Sequence, residues 1–60
     1  MEEIYQDVLE KVLLRYDRKH IRVGTAWHNL GCAQLKNGHH FRALKSMQTA
    51  VRIREDALVE

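Results

Sequence analysis

His28 and Cys32 stand four residues apart, about one helical turn, so an imidazole and a thiol share one helix face. Such a pair offers two ligands to a zinc ion, or the beginning of a thiol–imidazole nucleophile. Neither arrangement is completed. Structural zinc sites carry paired C-x-x-C or H-x-x-x-H elements, and His20, His39 and His40 add no recognised spacing to the pair. No oxyanion-hole loop or orienting carboxylate accompanies Cys32, so a small thiol, buried or groove-facing, is the simpler reading. With no acid–base pair at a meaningful spacing and too little chain to enclose a pocket, we expect no enzyme, no metal and no cofactor.

The second constellation is basic: Arg15, Arg18, Lys19, His20 and Arg22, with Tyr16 and Trp27 nearby. Cations interleaved with aromatic rings serve single-stranded nucleic-acid binders. Here the charges straddle a helix end, where they balance the helix dipole, and Trp27 belongs to a packing face. A net charge of +2 adds little steering. Nucleic acid is therefore not an expected partner.

At 60 residues the chain is one domain with a thin core. It is 45% hydrophobic and 30% charged, and no apolar run approaches the roughly 18 residues that a membrane span needs, so no membrane association is expected. Met1-Glu2-Glu3 shows no secretory signal. The single Cys32 closes no internal disulfide, which suits a reducing, cytoplasmic compartment.

Three helices must position these residues. In the first, at about 2–17, Tyr5, Val8, Leu9, Val12, Leu13 and Tyr16 follow the spacing of one helical face, with acids near the start and Arg15 and Arg18 near the end. Asp17 to Arg22 is the first connection. A second helix, about 23–36, buries Val23, Ala26, Trp27, Leu30 and Ala33, with Gln34 the least apolar of the series. Gly24 and Gly31 weaken it, which calls for a packing reason, and the close approach of a neighbouring helix at Gly31 supplies one. Asn37-Gly38 ends the second helix through a left-handed glycine. The third helix runs from near His40 to about Val59, with Phe41, Leu44, Met47, Val51 and Leu58 as its larger apolar positions and Ala43 and Ala50 as notches among them. No segment alternates with period two, so the fold class is all-α, three antiparallel helices.

Sliding the sequence on itself by 42 residues lays the first helix over the third, with Tyr5 on Met47, Val8 on Ala50, Leu9 on Val51 and Tyr16 on Leu58. Matching apolar positions at such a period mark stacked supersecondary units. Residues 2–17 then form the second helix of one unit, and 23–59 a complete next unit.

Trp27, Leu30, Gly31, Gly38, Ala43 and Ala50 carry the W-x-x-L-G, G, A, A spacing of a tetratricopeptide repeat, and 23–59 resembles that family. The 42-residue period and the stretch Ala50-Val51-Arg52-Ile53-Arg54-Glu55 look like its kinesin-light-chain-like branch, in which a histidine also precedes the unit at the place of His20. The chain departs from the pattern at Gln34 and His40, where the family commonly has aromatics, and at Ile21-Arg22, where it has proline-aspartate. The resemblance implies one and a half repeats of an α-α superhelix, a scaffold whose first-helix face binds a peptide or helix of a partner protein.

That face, rotated away from Trp27 and Leu30, carries Thr25, His28, Asn29, Cys32 and Lys36. By this resemblance Asn29 grips a peptide backbone through its amide donor and acceptor, with His28, Lys36, Thr25 and Cys32 around it. The alternative, a solvated face or a contact to a neighbouring repeat, stays open on sequence alone. Leu14 and Ile53 fall off the main stripes, so the 60 residues are expected either to belong to a longer array or to self-associate as a helical bundle with no separate ligand.

Overall fold

A computed structural model describes residues 2–58 as three helices: α1 (Glu2–Arg15), α2 (Ile21–Lys36) and α3 (His40–Leu58). Among these residues there is no strand, and no helix is long and apolar enough to cross a membrane. Val59, the expected end of the third helix, lies outside the described residues, as do Met1 and Glu60. The helices form a slab of 36 × 20 × 10 Å in which α2 packs on both α1 and α3, while the backbones of α1 and α3 do not approach one another.

α1 stops two residues short of the expected Asp17, and α2 starts two residues early. At the first boundary the Asp17 carbonyl accepts from the His20 amide at 2.9 Å, closing a turn. The second boundary is set by His20. Its backbone is extended, its carbonyl accepts from the Val23 amide at 2.9 Å, and its ring Nδ1 accepts from the Arg22 amide at 3.1 Å. The imidazole thus satisfies a helix N-terminal donor that a Ser or Asp side chain commonly takes. The ring also lies against Tyr16, with centroids 4.5 Å apart, and the Arg22 guanidinium sits 5.5 Å from the centre of the same tyrosine ring. Ile21 and Arg22 therefore belong to α2 and not to the connection.

The second turn is as the sequence predicts. Gly38 has φ +82°, its amide donates to the Leu35 carbonyl at 3.0 Å, and the His39 amide donates to the Gln34 carbonyl at 2.8 Å. This paired bonding satisfies helix-end carbonyls and lets α3 start at once. The turn is also tied to the beginning of the chain. Glu2 Oε1 accepts from Asn37 Nδ2 at 3.3 Å and pairs with His39 Nδ1 at 2.8 Å, with Arg42 Nη1 3.9 Å from the other oxygen.

Gly24 and Gly31 lie about two turns apart on the side of α2 that meets α3. A Cβ on Gly31 would stand 2.8 Å from Met47 Cγ, 3.3 Å from Ser46 Cβ and 3.4 Å from the Ala43 carbonyl oxygen; one on Gly24 would stand 3.1 Å from Ile53 Cγ2 and 3.5 Å from the Ala50 oxygen. The missing side chains bring the two helices together along Ala43, Ser46, Ala50 and Ile53, all buried. Inside the seam Ser46 Oγ donates to Gln34 Oε1 at 2.6 Å, so the polar group in the place of an expected apolar one is partnered.

This seam corrects the expected face of α3. Phe41 (71% exposed), Leu44, Val51 and Leu58 point to solvent and Met47 is half-buried, whereas Ile53, expected on an outer face, is 9% exposed. The glycines are met by small residues, by Ile53 and by the stem of Met47, and on this rotation of α3 Phe41, Leu44, Val51 and Leu58 are turned away. On α1 only Leu9 is buried; Tyr5 and Val12, with Tyr16 just past the helix end, pack partly on the core, while Val8 and Leu13 are exposed. Leu14, at 87% exposure, lies off the stripe as expected.

Two measurements check this construction. Gly31→Ala gains about 1 kcal/mol of helix propensity, but overpacking costs about 1–3 kcal/mol, so the variant should unfold at lower urea concentration; a higher midpoint would show that the notch is not needed. The Asn37 amide, then His39, hold the Glu2 carboxyl below the ordinary glutamate value. A depressed folded-state pKa contributes stability above the unfolded value, which is lost as pH falls through the folded one. Thermal melts from about pH 7 to about pH 3 should show an acid-side loss that Glu2→Gln reduces. Parallel curves for the two proteins would remove the clasp as a cause.

Candidate functional site

Because α2 is flanked on two sides, what remains of its surface divides into two regions. Val23 and Cys32 are nine residues apart, about two and a half turns, and so lie on opposite sides of the helix. On the Cys32 side is the face selected from the sequence. Thr25, His28, Asn29 and Lys36 are exposed there and Cys32 is partly buried.

The structure brings three of these five together. Asn29, Cys32 and Lys36 line a shallow depression of about 130 Å³ between α1 and α2, completed by Tyr5, Ala33 and Asn37. The other two stand apart from it. Thr25 Oγ1 donates to the Ile21 carbonyl one turn back at 3.3 Å, and His28 Nε2 lies 3.7 Å from Cys32 Sγ. Among the described residues no group of three His, Cys, Asp or Glu side chains could hold a metal ion, so His28 and Cys32 form only a contact within one helix.

Tyr5 and Asn37 were not among the sequence candidates. Asn37 continues the series Asn29, Ala33 at four-residue spacing, a signal present in the sequence but masked by its role in ending α2. Tyr5 reaches the depression from α1, which depends on how two helices pair. The resulting surface combines amide donors and acceptors from Asn29 and Asn37, the Lys36 ammonium, a thiol and one face of a phenol. These are groups that form hydrogen bonds and apolar contacts.

On the Val23 side lies a larger cleft of about 540 Å³. Val23, Trp27, Ile53 and Leu13 supply its apolar surfaces. Arg18 and Lys19 from the first connection, with Lys45 and Arg52 from α3, stand around it; Asp56 is its one acid. The sequence assigns Arg18 and Lys19 to the dipole of the first helix. With α1 ending at Arg15, they lie beyond its last turn, where that field has fallen off. Lys45 and Arg52, seven residues apart and so on one side of α3, were the available signal for the opposite bank.

No family model matches the chain, and no curated protein or solved structure matches it either.

Proposed function

We propose that the chain is a protein-interaction module of tetratricopeptide-repeat type, in which α1 is the second helix of one unit and α2 with α3 the next helical pair. It would bind a peptide or helix of a partner protein along the outward face of α2. The observation that carries this reading is the depression formed by Asn29, Cys32 and Lys36 with Tyr5 and Asn37. It sets polar groups of Asn29, Lys36 and Asn37 among apolar surface, and it stands on a helix that α1 and α3 hold from both sides. Donors and acceptors already set in a row on one helix lose less entropy on capturing an extended backbone than groups on a loop would.

Selection from a random peptide library displayed on phage, followed by titration of the enriched peptides, tests the reading. Asn29→Ala and Lys36→Ala should each weaken binding by about fivefold or more while far-UV circular dichroism stays unchanged. Enriched peptides that bind both variants as tightly as the parent would overturn it.

A second reading, self-association, is favoured by one specific observation. Leu44, Met47, Val51 and Leu58 form a largely exposed apolar stripe on α3, and the 42-residue shift lays Tyr5 and Leu9 of α1, and Tyr16 just beyond it, over Met47, Val51 and Leu58. Val12, which also packs on the core, falls on Arg54, so the stripes agree at three of the four positions; an apolar stripe of this spacing suits a second helical layer. Ile53, buried in the seam, takes no part in it. Sedimentation of the chain over about a tenfold range of concentration should then show a concentration-dependent mass that Leu44→Glu with Val51→Glu abolishes. A monomer throughout removes this reading and leaves the first intact.

A further inference from the structure

We infer that the cleft between α1 and α3, on the side of α2 opposite Asn29, is a second binding site, and that it takes an acidic peptide segment carrying one apolar side chain. Its observations are separate from those of the α2 outer face.

The first is charge. Arg18, Lys19, Lys45 and Arg52 surround one cavity, and none of them pairs with a carboxylate among the described residues, where the ion pairs are Lys11 with Asp7 and Glu2 with His39 and Arg42. Lys45 instead sits over the Phe41 ring, 5.0 Å from its centre. Four cations around one concavity repel one another and draw in anionic groups.

The second is the floor. The apolar surfaces within reach of a ligand are those of Trp27, half-buried, and Leu13, 39% exposed, over a base that Val23 and Ile53 close to solvent. A volume of about 540 Å³ is that of a site for a short peptide segment and exceeds what one side chain or one small ion fills. A purely ionic ligand would leave that floor wet, whereas an apolar side chain would cover it.

The third is spacing. Lys45 and Arg52, seven residues apart on α3, are separated by about 10 Å along the helix axis. Arg18 and Lys19 come from a different element. No single compact anion reaches all four. In an extended peptide, carboxylates at alternate positions fall about 7 Å apart on one side, and the residue between them points the other way. Two acids flanking an apolar residue, with the backbone twisted to aim that residue at Trp27, would therefore match banks and floor together. Asp56, toward the end of α3, disfavours an acid at that end and so sets a direction.

The site carries its own reporter, because Trp27 is the only tryptophan in the chain. The test is titration of the 60-residue protein with an unlabelled ten-residue peptide of Asp and Glu around one Leu, followed by Trp27 emission. Expected are a saturable shift, no shift with the Asn/Gln version of the peptide, and weaker binding when Leu is replaced by Ser. Raising salt from about 50 to about 300 mM should weaken it further. Lys19→Glu with Arg52→Glu, both at exposed positions, should raise the apparent Kd by about tenfold or more. Should that pair lose helicity by circular dichroism, Lys45→Gln replaces it, with a smaller rise expected. Asn29→Ala should leave the titration unchanged, which separates this site from the outer face of α2. The inference is overturned by no shift up to about 1 mM peptide, by an unchanged Kd in a folded charge variant, by weakening through Asn29→Ala, or by a single-stranded oligonucleotide of equal charge shifting Trp27 as tightly.

Discussion

The close approach of α2 and α3 at two glycines is the constraint from which the rest follows. Gly24 and Gly31 place no side chain of their own between the helices, and the groups that fill the gap are Ala43, Ser46, Ala50 and Ile53 with the stem of Met47. Among the described residues, four of the eight buried hydrophobics are alanines, so the seam relies on many short contacts and on little buried area per residue. It fixes the rotation of α3 about its own axis. That rotation exposes Leu44, Val51 and Leu58 and brings Lys45 and Arg52 to the cleft beside Trp27.

Much of this was legible in the sequence, with a sharp boundary to it. Three helices could be read from apolar spacing, and the second turn from Asn37-Gly38, because these signals are local. The inward face of α3 could not. Counting large apolar residues picks out its Leu44–Val51–Leu58 side, and the count misleads where the partner helix offers notches that only small groups fit. The start of α2 escaped because a histidine ring performs the capping, and the buried Gln34 becomes intelligible only once Ser46 is seen to reach it from α3.

The candidate site divides in the same way. Asn29, Cys32 and Lys36 follow from three- and four-residue spacing on one helix, and the structure places them side by side. Tyr5 joins them from α1, and the four cations of the opposite cleft are gathered from a connection and a distant helix. No pattern within one element announces such an assembly. α2 is thus the common wall of two concavities of different character, one lined by amides and one by cations over a hydrophobic floor.

The Glu2 clasp has a consequence for how the chain comes together. It joins residues 35 and 37 apart in sequence, while the α2–α3 pair is joined through a turn that Gly38 closes at small entropic cost. Both helix pairs are local in sequence, and the clasp is the contact that ties the start of α1 to the far turn. α1 carries one buried side chain, Leu9, and so is the part of the fold that opens at the lowest free energy. Hydrogen exchange would accordingly run in bands along the chain, with the amides of α1 exchanging ahead of those in α2 and α3, and each opening of α1 removes Tyr5 from one concavity and Leu13 from the other.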